Sequence, residues 1–501
     1  MDELGKANEE SLGNKLIKGS AWMLAVRWFS RFMGLASMAV VARLLAPADF
    51  GIYAVATALI GLLDAFTDIG TDIAIIRHPD PQRRHYDTAW TLKIILHGLS
   101  ALLIALAAPL AAHVYADDRY EAILQVLALS MLVQGFSNIG VVNFRLQFEF
   151  HKDFQFQILV QVVGVLSTLV TAFLFRSYWA LVLGGLARSI SAVGLSYLLQ
   201  DYRPRLSLSA RQEMFGFSFW IMVRSVAIFL IGSADRLVLG AFFSSTITGL
   251  YAIASTLATM AVLELLLPIG RALLPGLAAK QGDTEWERRN LKKIFSGTAT
   301  LAAVAGLGLS ALAMPAVTLV YGERFAGAGP MLAILAISAA AGGFNQPAGH
   351  YLIISGKVRE LAILFSLEGI AAISATYVLA ANGIDIQGVV YARLAVAGLA
   401  LVRLFYMLRS TSVIGWQDIV IAWLRPIMAG LTMYAALWVM QGSLSLSPVY
   451  ALALGIPLGG LVYIGTLLFV WRLMGRPPGI EDEILQRAFG CGPRLDKYRV
   501  Y

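Results

Sequence analysis

The sequence predicts an all-α integral membrane protein of about fourteen transmembrane helices, and three observations predict it. Of 501 residues, 58% are apolar and 14% charged, where a soluble globular chain carries roughly 25% charge. Apolar runs of the length that crosses a hydrocarbon core, roughly 20 residues for about 30 Å, follow one another almost end to end. Basic residues crowd alternate gaps between those runs.

Taken in order, the runs fall near residues 19–44, 50–76, 88–114, 120–145, 154–175, 178–200, 214–241, 247–275, 292–320, 327–354, 358–381, 384–409, 417–440 and 449–474. Residues 1–18 are polar and carry Lys6, Lys15 and Lys18. No cleaved signal is read there, and the first helix is expected to be its own insertion signal. One set of gaps holds Arg83 and Arg84, then Arg145 and Lys152, then Arg203, Arg205 and Arg211, then Arg288, Arg289, Lys292 and Lys293. The other set is nearly bare. By the positive-inside rule the first set, the N-terminus and the basic tail are expected in the cytoplasm. The net charge of +8 therefore orients the chain and calls for no nucleic acid. A single cysteine, Cys491, excludes disulfides within the chain and cysteine metal clusters.

The chain also repeats. Shifted by 198 residues, Trp22, Gly34, Gly51 and Tyr53 meet Trp220, Gly232, Gly249 and Tyr251 within a gap-free window. The shift spans six helices, an even number, so both copies enter the membrane in the same direction. This divides the chain into a cytoplasmic N-terminus (1–18), an N-lobe of six helices (19–200), a cytoplasmic linker (201–213), a C-lobe of six helices (214–410), two further helices (411–474) and a cytoplasmic tail (475–501). Parallel repeats of this kind place substrate near the bilayer midplane and alternate around it.

Charges inside a bilayer need a reason, since each costs about 2.5–3.5 kcal/mol on the insertion scale. The first helix carries Arg27 and Arg31 one turn apart. The second carries Asp64, Asp68 and Asp72, which in a continuous helix form one stripe at overlapping depth. Arg188, Arg224, Glu264, Arg271, Glu368 and Arg393 also lie well inside predicted spans, whereas Lys93 sits nearer an end and can snorkel. Cations outnumber acids, so Arg27, Arg31, Arg188, Arg224, Arg271 and Arg393 are the candidates for an anionic substrate. Asp64, Asp68, Glu264 and Glu368 are the candidates for exchanging an ion. Gln134 with Asn138, and an Asn345-Gln346-Pro347 run followed by His350, add polarity. No phosphate-binding loop or nucleophile motif is present. His78, His85, His97 and His113 read as too scattered for a metal site, so no cofactor is expected beyond a coupled proton or sodium ion.

Leu44-Leu45-Ala46-Pro47-Ala48-Asp49-Phe50-Gly51-Ile52-Tyr53, Ala234-Asp235-Arg236-Leu237-Val238-Leu239-Gly240 and Gly249-Leu250-Tyr251-Ala252 resemble the polysaccharide transporter, or Wzx-type flippase, family. That family belongs to the multidrug/oligosaccharidyl-lipid/polysaccharide (MOP) exporter superfamily. The resemblance implies a V-shaped, two-lobed transporter in the bacterial inner membrane. It implies flipping of undecaprenyl-diphosphate-linked oligosaccharide repeat units for exopolysaccharide, O-antigen or capsule, with ion coupling. Implied partners are the lipid-linked anionic oligosaccharide, membrane lipids, and the polysaccharide polymerase and export machinery. A lipid II flippase, a membrane polysaccharide polymerase or ligase, and a multidrug exporter are the alternatives. The gaps of about ten residues or fewer on the second side speak against the enzyme, and the arginines of the first helix against a carrier of cationic drugs.

Overall fold

The computed structural model describes residues 22, 26–147, 149–279, 284–343, 345–409, 415–444 and 446–475. Side chains are described at all of these except Arg77, 214–221, Leu263, 267–279, 345–346, His350, Ile354, Val358 and Trp416. Every regular element among these residues is a helix. By internal packing the chain divides into two compact units, Met1–Gly249 with Val320–Gly322, and Leu250–Leu319 with Glu323–Tyr501.

The first unit opens with α1 over residues 26–44. It continues with α2 (Pro47–Thr67), α3 (Thr71–Arg77), α4 (Arg83–Val114), α5 (Arg119–Gly135), α6 (Asn143–Leu146), α7 (Phe150–Phe175), α8 (Trp179–Leu198), α9 (Arg211–Gly232), α10 (Asp235–Phe242) and the start of α11 (Ser245–Ala279). The second unit takes up the rest of α11, then α12 (Thr284–Ala311), α13 (Ala313–Tyr321), α14 (Ala328–Gly343), α15 (Asn345–Ile354), α16 (Val358–Ala381), α17 (Ile386–Arg409), α18 (Trp416–Ser443) and α19 (Pro448–Leu473).

Eleven of these helices are long and apolar enough to cross a membrane, or thirteen if each of two bent pairs is one span. Fourteen is not reached, because α1 carries Arg27, Arg31 and Arg43 within its 19 described residues. Four predicted spans are interrupted among the described residues, the ninth at Leu312 between α12 and α13. The second stops at Thr67 and resumes at Thr71, with Gly70 in the left-handed region at φ 65°. The fourth bends by 66° between α5 and the turn at Ile139–Leu146, and the seventh by 42° between α9 and α10. Backbone that leaves the helix at membrane depth is tolerated only where protein or a wet cavity satisfies it.

The resemblance motifs have a local physical reading. Pro47 opens α2 at a position whose N–H has no helical partner in any case, and Asp49 accepts the Ala46 N–H at 2.9 Å and the Tyr178 N–H at 3.1 Å, joining the starts of α2 and α8. A Cβ on Gly51 would overlap the Ser245 carbonyl, and one on Gly249 would overlap the Pro47 carbonyl. Ser245 and Gly249 are Pro47 and Gly51 displaced by the repeat of 198. Position 51 thus meets the copy of 47 while 47 meets the copy of 51, the reciprocal pattern that a two-fold axis produces. Gly240 likewise leaves room for Val55, so α10 lies on α2. These motifs carry close packing of small residues.

The linker is not a free loop. Asp87, Thr88 and Thr91, all buried on the first turns of α4, receive Tyr202 Oη and the Arg205 N–H (2.6 and 2.8 Å, on Asp87), the Ala210 N–H (3.2 Å, on Thr88) and the Ser207 N–H (2.9 Å, on Thr91). Residues 202–210 are thereby laid along α4. The compact unit therefore runs past the predicted boundary at 201–213 and takes in α9 and α10, which pack on α2.

Candidate functional site

Within the first unit a cavity of about 700 Å³ is walled by α2, the interruption after it, α3, α4, α5, α6 and α9. Its ionisable lining is Asp64, Asp68, Asp72, Lys93, His97, Arg145 and Arg224. The interruption supplies the geometry. Asp68, just past the last turn of α2, accepts the Gly70 N–H at 3.3 Å and the Ser225 hydroxyl at 2.7 Å, so its carboxylate holds the turn and joins it to α9. The predicted stripe of three acids is broken there, since α2 ends at Thr67 and Asp72 belongs to α3. All three acids nevertheless face the same cavity.

Of the predicted arginines, Arg224 lines this cavity. Arg188 lies on α8 with its stem over Gly164 of α7, outside the wall. Arg27 is half-buried and Arg31 exposed on α1, also outside it. Glu264, Glu368 and Arg393 belong to the second unit, where Glu264 is buried on α11 and the charge of Arg393 on α17 acts on Glu368 of α16. The side chain of Arg271, like those of Asn345, Gln346 and His350, lies outside what the structure describes.

Sequence spacing overlooked several participants. Lys93 was expected to snorkel, yet its Nζ donates to Ser137 Oγ at 2.6 Å and turns into the cavity wall. Gln134 and Asn138 were expected as neighbours on one helix. Instead α5 ends at Gly135, and Asn138 caps the following turn, accepting the Gly140 N–H at 2.9 Å and donating to Tyr202 O at 2.7 Å. Arg425, which the charge inventory missed, is 2% exposed in α18. Its signal was available, as a cation directly before Pro426 inside a predicted span.

His78 and His85 do not stay apart. With Glu213 they place one ligand atom each within 4.8 Å of one another. His85 Nε2 lies 2.8 Å from Glu213 Oε2, and Arg84 Nη1 lies 3.3 Å from Oε1. Both imidazoles, however, accept a backbone N–H at Nδ1, His78 from Asp80 at 3.2 Å and His85 from Gln82 at 2.9 Å. A neutral ring with an acceptor Nδ1 carries its proton on Nε2. His85 therefore donates to Glu213, and the lone pair a metal would need is used elsewhere. The arrangement is a clamp on a carboxylate, and the His85 hydrogen bond holds the Glu213 carboxyl below its ordinary range.

A family model described as polysaccharide biosynthesis protein matches residues 40–330, more than half of the chain. The chain belongs to that family. Among similar proteins, the lipopolysaccharide biosynthesis protein WzxC of Escherichia coli K12 is 26% identical over 70% of this chain and 72% of its own length. The succinoglycan biosynthesis transport protein ExoT of Rhizobium meliloti 1021 is 24% identical over 69% and 70%. In fold the chain is similar to the lipid II flippase MurJ in an inward closed conformation, with a TM-score of 0.73 at 12% identity over 90% of this chain and 99% of that one. An inward-facing multidrug resistance MATE transporter of the MOP superfamily gives 0.59 at 14% identity over 77% and 95%. This family member is a multi-pass helical membrane protein of polysaccharide biosynthesis, with a fold similar to that of the MurJ and MATE structures.

Proposed function

We propose that this protein flips undecaprenyl-diphosphate-linked oligosaccharide repeat units from the cytoplasmic to the periplasmic leaflet of a bacterial inner membrane. Both termini then lie in the cytoplasm, as the basic gaps require. The observation that carries the reading is the cavity of about 700 Å³ at the broken second span, which sets Arg224, Lys93 and Arg145 among Asp64, Asp68 and Asp72. A wet, mixed-charge chamber suits a cargo with an anionic head and a hydroxyl-rich chain. The acids on its wall suit exchange of a proton or sodium ion for the cargo's charge. The other predicted cations, Arg27, Arg31, Arg188, Arg271 and Arg393, and the acids Glu264 and Glu368 serve the same cargo and ion along the rest of its route. Polymerase and export machinery receive the product.

Deletion in the source organism tests this reading. Loss of a surface or secreted polysaccharide with normal cell-wall growth is the expected outcome, restored by the intact chain and not by Arg224→Glu. Lysis on depletion would transfer the activity to lipid II. Unchanged polysaccharide would remove the flippase reading altogether.

A further inference from the structure

Beside the large cavity lies a second one of about 160 Å³, at the interruption of the fourth span. Its polar wall is Asp72, Lys93, Ser137, Asn138, Arg145 and Ser196. Asp72, Lys93 and Arg145 line both spaces, so one opens beside the other across a shared charged wall.

We propose that this side pocket is an anion subsite in which Lys93 and Arg145 hold a phosphoryl group of the cargo. The assignment rests on the flippase reading above and names the part of the chain that engages the diphosphate.

The donors are prepared for an oxyanion. An ammonium has three N–H groups, and Lys93 spends one on Ser137 Oγ, which leaves two to turn into the pocket. Arg145 is held from behind. Its Nε reaches Oδ2 of Asp153 at 3.4 Å, and that acid, 5% exposed, is itself fixed by Gln157 Nε2 at 2.8 Å. Among the described residues the Nη pair of Arg145 makes no hydrogen bond. That forked edge is the one that meets two phosphate oxygens at once.

Charge and shape agree. On the wall itself two cations face one acid, Asp72, and the second acid, Asp153, engages Arg145 through Nε alone. The pocket is far smaller than its neighbour, which fits a head group beside an oligosaccharide. The irregular backbone at 136–138 is also rigid: the Asn138 N–H donates to Ser196 Oγ at 2.9 Å, and both Asn138 amide atoms are engaged. A preorganised wall is what specific capture of a small anion requires.

The test uses the full-length protein in detergent micelles, titrated separately with undecaprenyl diphosphate and with inorganic pyrophosphate. Lys93→Gln and Arg145→Gln should each weaken binding of the lipid by about tenfold, the worth of one charge-assisted hydrogen bond, and Asp72→Asn should tighten it. Competition by pyrophosphate supports a subsite that reads the head group alone. Binding of the lipid form only, with the same loss in both variants, supports a head group delivered by its tail.

Equal affinity in wild type and both variants would overturn the subsite while leaving the flippase reading in place. No binding of the lipid by wild type would overturn that reading itself. Should the variants fail to fold, Ser137→Cys in a Cys491→Ser background reports on the same wall. Undecaprenyl diphosphate should slow its labelling by a cationic thiosulfonate several-fold, and an unchanged rate at saturating lipid would again remove the subsite.

Discussion

The two compact units handle the same difficulty, ionisable groups inside a membrane, in opposite ways. In the first, backbone and charge break together: the helix stops at Asp68–Gly70 and bends at Phe136–Asn138, and both interruptions front cavities lined by acids and cations. In the second, among the described residues, the charges Arg425 and Asp418 of α18 are buried. Arg425 is almost wholly buried in α18, and Asp418 at the start of that helix is gripped by Arg288 and Lys292 of α12 at 2.9 and 2.6 Å. Around them lie clusters such as Leu291, Phe295, Leu352, Leu404 and Ala422. A wet charge can change partners during a cycle, whereas a dry one can only hold a structure. Substitutions at the broken spans of the first unit should therefore touch activity first, and those at Arg425 and Asp418 stability first.

Reversing a charge on the wet side should separate activity from folding most completely. Arg224→Glu is expected to abolish polysaccharide export, while the apparent Tm in detergent and the membrane content stay near wild type. A large fall in either would mean that Arg224 is a structural residue and the contrast is false. Next in size, Arg425→Ala should do the reverse. Its side chain is among the largest fully buried ones, so truncation leaves a cavity in α18's packing; the amount of folded protein should drop, and export per folded molecule should stay level in a vesicle assay. A soluble, stable Arg425→Ala protein with no transport would place an active charge in the dry unit.

The linker gives a smaller effect. Asp87→Ala leaves the Arg205 N–H without its acceptor and Tyr202 Oη with only the long contact to Arg83 O at 3.4 Å, at about 1.5–3 kcal/mol for a hydrogen bond to a charged group. Thermal unfolding should begin earlier, and proteolysis should become possible within 202–210. Unaltered protease resistance would show that the strap holds without Asp87.

The smallest expected effect is that of pH at the Glu213 clamp. Because the folded-state carboxyl lies below its ordinary value, the clamp's contribution is fully present above the unfolded carboxylate pKa of about 4.3. It is lost as pH falls through the lower, folded value. Glu213→Gln should therefore lower the apparent Tm slightly and equally between pH 6 and 8, and the difference from wild type should vanish in acid. A difference that changed between pH 6 and 8 would implicate the histidines instead.

Much of this architecture could be read from the residues alone. Span positions follow from apolar length, and the reciprocal contact of positions 47 and 51 with 249 and 245 has its counterpart in the repeat of Gly51 and Gly249. The interruptions were not legible, because nothing local forbids a helix through Asp68, and Gly70 reads equally as a tolerated helical glycine. At the break Asp68 meets Ser225, 157 residues away, a contact that no local pattern announces. The cavity suffered the same way. Depth along a helix identified Asp64, Asp68 and Arg224 as intramembrane charges, but which ones share a space depends on helix rotation, and that is decided by contacts such as Lys93 with Ser137. His78, His85 and Glu213 meet only because the strapped linker returns the start of α9 to the start of α4.

The reciprocal glycine contact also bears on how substitutions combine. Gly51 and Gly249 share one clearance, each admitting the carbonyl beside the other. Filling it once, with Gly51→Ala or Gly249→Ala, should already force the two helix starts apart. The second substitution would then find the gap open and add little. The pair should be strongly non-additive, with an interaction energy comparable to either single effect, although residues of equal burial on separate helices combine independently. Tolerance at one copy of the repeat is thus conditional on the state of the other.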